Sequence, residues 1–215
     1  MAKVTSKLQV TMPKAIATQY RFIAYSLRYH STAPWPDAGQ HYSYATHVAD
    51  LAAVIRQLDA GPVHLVGLSS GGRPVTMVAL EHPDLVRSLT VLEPPIDELL
   101  VDRSEAQPVR DAWVKAFAPI RTAAQAGEAM QATKLFFELA NYQGAGTFET
   151  QPEAFRQMIL DNARTVPLQL AAPRPTALSC ATLGGVEAPT LVVRGAQTPH
   201  YMALLSEVIV LTPLP

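Results

Sequence analysis

The sequence predicts an α/β fold, a parallel sheet flanked by helices with a helical insertion over one end, and three observations predict it. Short apolar runs read as buried strands. Segments with apolar residues at helical spacing separate them. One long passage carries helical patterns alone.

Val4 to Met12 alternates as a strand would. Arg21 to Leu27 (RFIAYSL) is a short apolar and aromatic run that predicts a strand, and RYHSTAPWPDAGQ after it is a loop by its prolines and glycine. From Tyr44 to Leu58, the residues Val48, Leu51, Ala52, Ile55 and Leu58 recur at helical spacing, and Gly61-Pro62 ends that helix. Val63 to Leu68 lacks a clean polar face and reads as a buried parallel strand. Ser70 to Leu80 is a helix stopped before Pro83, and Val86 to Leu92 and Thr190 to Arg194 are further strands. Val208 to Leu211 (VIVL) is one more strand candidate. Between these, helices are expected near Pro108–Phe117, Glu128–Leu139 and Pro152–Arg164, without a strand among them. The boundaries expected are a core of residues 1–96 and 186–215 with an inserted helical cap at 97–185.

Composition bounds the function. The 215 residues suit one domain, and 48% apolar with 16% charged residues is an ordinary soluble balance. A net charge of −1 supplies no basic field to gather nucleic acid or anionic lipid. No apolar run approaches the roughly 18 residues of a membrane span, and the first residues lack a signal peptide's apolar stretch. Cys180 is the single cysteine, so no internal disulfide forms and a reducing compartment, the cytoplasm, is expected. No ligand spacing suggests a metal, and no cofactor is implied. Trp35, Trp113 and the Leu135-Phe136-Phe137 cluster read as packing residues.

Gly67-Leu68-Ser69-Ser70-Gly71 is a G-x-S-x-G motif with a strand before it and a helix after it. A serine on so sharp a turn has a strained backbone, and glycines at Gly67 and Gly71 relieve the crowding around it. The turn lifts the Ser69 hydroxyl above the sheet and places the Ser70 N–H at a helix N-terminus, where it can hold an oxyanion. Glu93 ends the next strand, 24 residues on, and Pro94-Pro95 stop that strand there. Parallel strands put their C-terminal ends on one side, so Glu93 should face the cleft of Ser69.

The stretch VHLVGLSSGGRPVTMVALEHPDLVRSLTVLEPP resembles the nucleophile-elbow region of the α/β-hydrolase superfamily. RFIAYSLRYH is similar to its preceding strand and loop, and APTLVVRGAQTP to a late core strand, so the likeness runs from about Tyr20 to Pro199. Leu68 departs from the polar or aromatic residue, commonly His, of many members. The resemblance implies a Ser69 nucleophile, a histidine base and an orienting carboxylate. Glu93 matches the acid of the haloalkane-dehalogenase-like branch, while RGAQTPHYM after the late strand offers no carboxylate at the commoner position. Dehalogenation is disfavoured, because those enzymes carry aspartate where this chain has Ser69.

Two family parts have no counterpart: the histidine loop after the last strand, and an early strand ending in a His-Gly-type loop. The sequence therefore reads as cut short at both ends. His200 after the late strand is the first candidate for a substitute base and His30 the second, the remaining reading being that neither acts, and the sheet is expected to be incomplete. The empty strand position is filled by another segment, by rearrangement of the half-sheets, or by a homodimer partner completing the sheet. The resemblance implies a serine hydrolase of small carboxylic esters or lactones. The alternative is a truncated, catalytically weak or inactive binding or scaffold protein of the same fold.

Overall fold

The computed structural model describes residues 16, 18–35, 37–140, 144–173 and 178–212. The alternating segment Val4 to Met12 lies outside them. Helix α1 spans Tyr44–Leu58, as its spacing predicts, and Ser43 caps it by accepting the Thr46 N–H. Strand β1 is Val63–Leu68, followed by a 3-10 turn at Ser69–Gly71 and helix α2 at Gly72–Glu81. Strand β2 is Val86–Leu92 and β3 is Thr190–Val193. The three strands are parallel in the order β1-β2-β3, and the sheet is not closed.

Between β2 and β3 run α3 (Gln107–Gln125), α4 (Ala129–Ala140), α5 (Glu153–Leu160), α6 (Thr165–Ala171) and α7 (Cys180–Leu183). The passage is helical, as expected. Helix α3 outruns its expected end at Phe117 and carries Pro119 in its interior, because the stripe Trp113–Phe117–Ile120–Ala123 goes on packing past the proline. The loop after Leu27 ties this passage to the core: the Ser31 N–H donates to Asn162 at 2.6 Å, and the Thr165 hydroxyl donates to the Tyr29 carbonyl. Arg164 donates to the Ala33 carbonyl and lies over the Trp35 ring at 3.9 Å.

Two strand expectations are corrected. Arg21–Leu27 forms no ladder: no strand among the described residues lies beside it to take its hydrogen bonds. Val208–Leu211 is the end of helix α8, His200–Leu211, which runs across β3 and buries Met202, Leu205, Val208 and Ile209 on one side. Four apolar residues in a row do not separate strand from helix by periodicity alone.

Register sorts the sheet into two faces. Leu65, Gly67, Leu89 and Val91 turn toward α2 and are buried. Val66, Leu68, Leu191 and Val193 turn the other way and are 63%, 66%, 59% and 36% exposed. The expectation that β1 is buried on both faces therefore fails among the described residues, where its second face and outer edge carry no covering element. No helix among them is long and apolar enough to cross a membrane.

Candidate active site

Strand β1 must end, turn and re-enter as a helix within a few residues, and the backbone records the cost. Ser69 sits at φ 48, in the left-handed region that side chains avoid. A Cβ on Gly67 would stand 2.5 Å from Val75 and 2.6 Å from the Gly71 carbonyl oxygen, and one on Gly72 would stand 2.6 Å from Pro94. Gly71, expected to be required, has open space around it and an ordinary φ of −69. The crowded partner is Gly72, because it is there that α2 passes against the end of β2. The Gly71-Gly72 pair was the signal; which glycine matters depends on the approach of Pro94 from another element.

Glu93 repeats the pattern at the end of β2. Its φ is 46, its N–H donates to the Val193 carbonyl at 3.1 Å, and its Oε1 accepts the Gly195 N–H at 2.9 Å. The late strand thus holds the carboxylate in place through backbone.

Ser69, Ser70 and Glu93 line one cavity of about 500 Å³. No hydrogen-bond partner holds the Ser69 hydroxyl among the described residues, and the residue is exposed to the cavity. Ser70 follows it in the 3-10 turn, where the first N–H groups have no acceptor inside the helix. The geometry offers a free hydroxyl, an anchored carboxylate and an available amide at the ends of adjacent parallel strands, a combination suited to attack on a polarised carbon.

The histidines are placed otherwise. His200 is exposed at the start of α8, next to Tyr201 and Met202, which do line the cavity. Among the described residues no histidine lines it. His30 lines a second cavity of about 160 Å³ that shares Phe136 and Gln169 with the first. Burial holds the His30 pKa below its ordinary value. His47, 2% exposed and 6.2 Å from the His30 ring, is pushed down to about 4 by burial first and by His30 second. His64 bonds the Ser88 hydroxyl at 2.6 Å on the bare face of the sheet, and His82 contacts Arg56 at 3.3 Å at the far end of α2. No group of three or more His, Cys, Asp or Glu residues among those described could hold a metal.

The opposite wall of the cavity went unread in the sequence. Arg110, Trp113, Val114, Phe117 and Arg121 are spaced three, four, seven and eleven residues along α3, and all five line the cavity. Trp113 stacks on Tyr201 at 4.7 Å, and Tyr201 donates to Asp97 at 2.6 Å. Phe136, read as packing, joins the wall through an edge contact with Phe117 at 6.0 Å, whereas Phe137 is buried against Phe148 and Phe155. The stripe on α3 was the signal that could have found this wall. Arg73, one turn beyond Ser69, is 2% exposed; it pairs with Glu98 at 2.9 Å, donates to the Pro95 carbonyl at 2.7 Å and lies 4.9 Å from the Tyr44 ring centre.

Residues 4–200 match the family described as alpha/beta hydrolase fold. A 2-(acetamidomethylene)succinate hydrolase of Mesorhizobium japonicum is 35% identical over 108 residues, covering 48% of this chain and 38% of that protein. A fluoroacetate dehalogenase of a Burkholderia species is 36% identical over 81 residues, covering 36% of this chain and 27% of that protein. The matches thus span well under half the length of these curated relatives. Among solved structures, a hydrolase from Pseudomonas aeruginosa PA01 shares the fold with a TM-score of 0.55 at 24% identity, over 88% of this chain and 68% of that one.

Proposed function

The chain belongs to the alpha/beta hydrolase fold family, and on that premise we propose that it is a serine hydrolase of small carboxylic esters or lactones. The observation that carries this reading is the backbone of Ser69: a non-glycine residue held at positive φ between Gly67 and Gly72, with its hydroxyl free in a cavity that also holds Glu93. Strain of this kind persists where the surroundings over-determine it, and here it aims one oxygen at one cavity.

In the proposed reaction the Ser69 oxygen attacks the ester carbonyl carbon as a base removes its proton, and the Ser70 N–H stabilises the oxyanion. The tetrahedral adduct collapses to an acyl-enzyme, and the alcohol departs with the proton from the base. Water, deprotonated by the same base, then attacks the acyl carbon, releasing the carboxylic acid and restoring the serine hydroxyl. Glu93 is assigned the orienting carboxylate. His200 is the candidate base: it is exposed and outside the cavity lining, although Tyr201 and Met202 after it belong to that lining, so it must turn inward to serve. We read the helices between β2 and β3 as a cap selecting the acyl or alcohol group.

One observation favours the second reading, a weak or inactive binding protein of the same fold: the cavity lining contains no histidine among the described residues. Intact-mass labelling with a fluorophosphonate separates the two. A single stoichiometric adduct that disappears in Ser69→Ala supports the hydrolase, and His200→Ala then tests the base. Folded protein that takes up no label leaves the binding protein.

A further inference from the structure

The cavity is electrically lopsided. The two acidic residues of its described lining stand on the strand-end side and are engaged: Glu93 accepts the Gly195 N–H, and Asp97 accepts the Tyr201 hydroxyl. Arg73, on that same side, is neutralised by Glu98. The α3 wall instead presents Arg110 and Arg121, and neither pairs with a carboxylate among the described residues. Arg110 donates to the Val101 carbonyl at 3.4 Å and the Gln107 side chain at 3.3 Å, both long, and Arg121 donates to the Val114 carbonyl at 2.6 Å. These are neutral acceptors, and they leave both positive charges uncompensated among the described residues.

Placement sharpens the point. Helical side chains lean toward the helix N-terminus, and the contact of Arg121 with a carbonyl seven residues earlier lays its guanidinium back along the stripe. It therefore stands near the level of Val114, about 6 Å along the axis from the Cα of Arg110. Trp113 and Phe117, with ring centroids 5.1 Å apart, line the same wall. Guanidinium forks in a partly desolvated, apolar pocket match a planar carboxylate bidentately, and retain their charge at any working pH.

We propose that the substrate carries a carboxylate, and that Arg121, with Arg110, binds it on the α3 wall while the scissile carbonyl lies at Ser69. The inference rests on the hydrolase reading for its reaction and on the two arginines for its specificity. The ligand class is then a half-ester of a dicarboxylic acid, or a carboxylate-bearing ester of similar size. The two arginines act on binding and orientation and take no part in proton transfer.

The test compares the mono-4-nitrophenyl ester of glutarate with 4-nitrophenyl butyrate, on wild type, Arg121→Gln, Arg121→Lys and Arg110→Gln/Arg121→Gln. Arg87→Gln, on the surface away from the cavity, is the control. Wild type should favour the glutarate half-ester by tenfold or more in kcat/KM. Arg121→Gln should erase most of that ratio through KM, the double variant the rest, and Arg121→Lys should restore part of it. Equal or reversed preference in wild type, or a ratio untouched in the double variant, overturns the proposal. Should neither ester turn over, the hydrolase reading fails and calorimetry with glutarate decides the binding site separately. Glutarate binding to wild type that is lost in Arg121→Gln upholds the site. No heat at millimolar glutarate overturns it.

Discussion

The two sides of the cavity are built in different ways. On the strand side, Ser69 and Glu93 are fixed by backbone: both have positive φ, both end parallel strands, and the groups around them are glycines, a proline and amides. On the helical side, Arg110, Trp113, Phe117 and Phe136 are side chains carried by α3 and α4. The first kind of construction has little slack, because a Cβ on Gly67 or Gly72 would stand within 2.6 Å of a neighbouring atom. The second can change its residues without changing its frame. Chemistry belongs on the first and selectivity on the second.

The sharpest way to break the comparison is Ser69→Ala. It should lower ester hydrolysis by at least about a thousandfold while leaving the helical wall and the melting temperature in place. Residual activity within tenfold of wild type would remove Ser69 from the chemistry. Next in size is Arg73→Met, which strips Glu98 of its buried partner beneath the strand side and should cost about 3 kcal/mol of unfolding free energy. A denaturant midpoint unchanged from wild type would mean that this pair contributes nothing.

The glycines sharpen it further. Gly67→Ala should cost about 3 kcal/mol, since its Cβ has no room, whereas Gly71→Ala should stay within about 0.5 kcal/mol. Equal losses in chemical denaturation would contradict the asymmetry between them.

A pH-dependent effect belongs to the junction of the two sides, where His47 packs against His30 beside the second cavity. His47 is neutral when folded, with its pKa near 4, and has an ordinary value of 6.5 when unfolded. Between those values the unfolded chain binds the extra proton, so stability is full above pH 6.5 and falls as the pH drops toward 4. The whole loss comes to at most about 3 kcal/mol. Melting temperatures from pH 7.5 to 4.5 should show that decline, and His47→Phe should flatten it; an unchanged slope in the variant would assign the decline to other groups.

Local pattern carried the strand side almost unaided. Strand β1, strand β2 and helix α1 have the boundaries read from apolar runs and spacing, because each run ends at a residue that cannot continue it: Ser69 on the turn, Glu93 before two prolines, Asp59 in the left-handed conformation. Arg21–Leu27 has the composition of a strand and forms none, since a ladder needs a neighbour, and composition says nothing of neighbours. Val208–Leu211 went to a helix for a related reason: its fate depends on how far the pattern before it runs.

What the sequence determined by itself, then, is the turn at Ser69, the carboxylate of Glu93 at the end of β2 and the alternation of strand and helix. Each follows from forces acting within a few residues: steric limits on φ, the missing amide of proline, and apolar periodicity. Only the tertiary structure decided that Gly72 and not Gly71 is crowded, that Tyr201 and Met202 line the cavity while the exposed His200 does not, and that Arg110 and Arg121 line the same cavity as Ser69. Those facts depend on contacts between segments far apart in the chain, and the free energy of such contacts lies in the packing of both partners together.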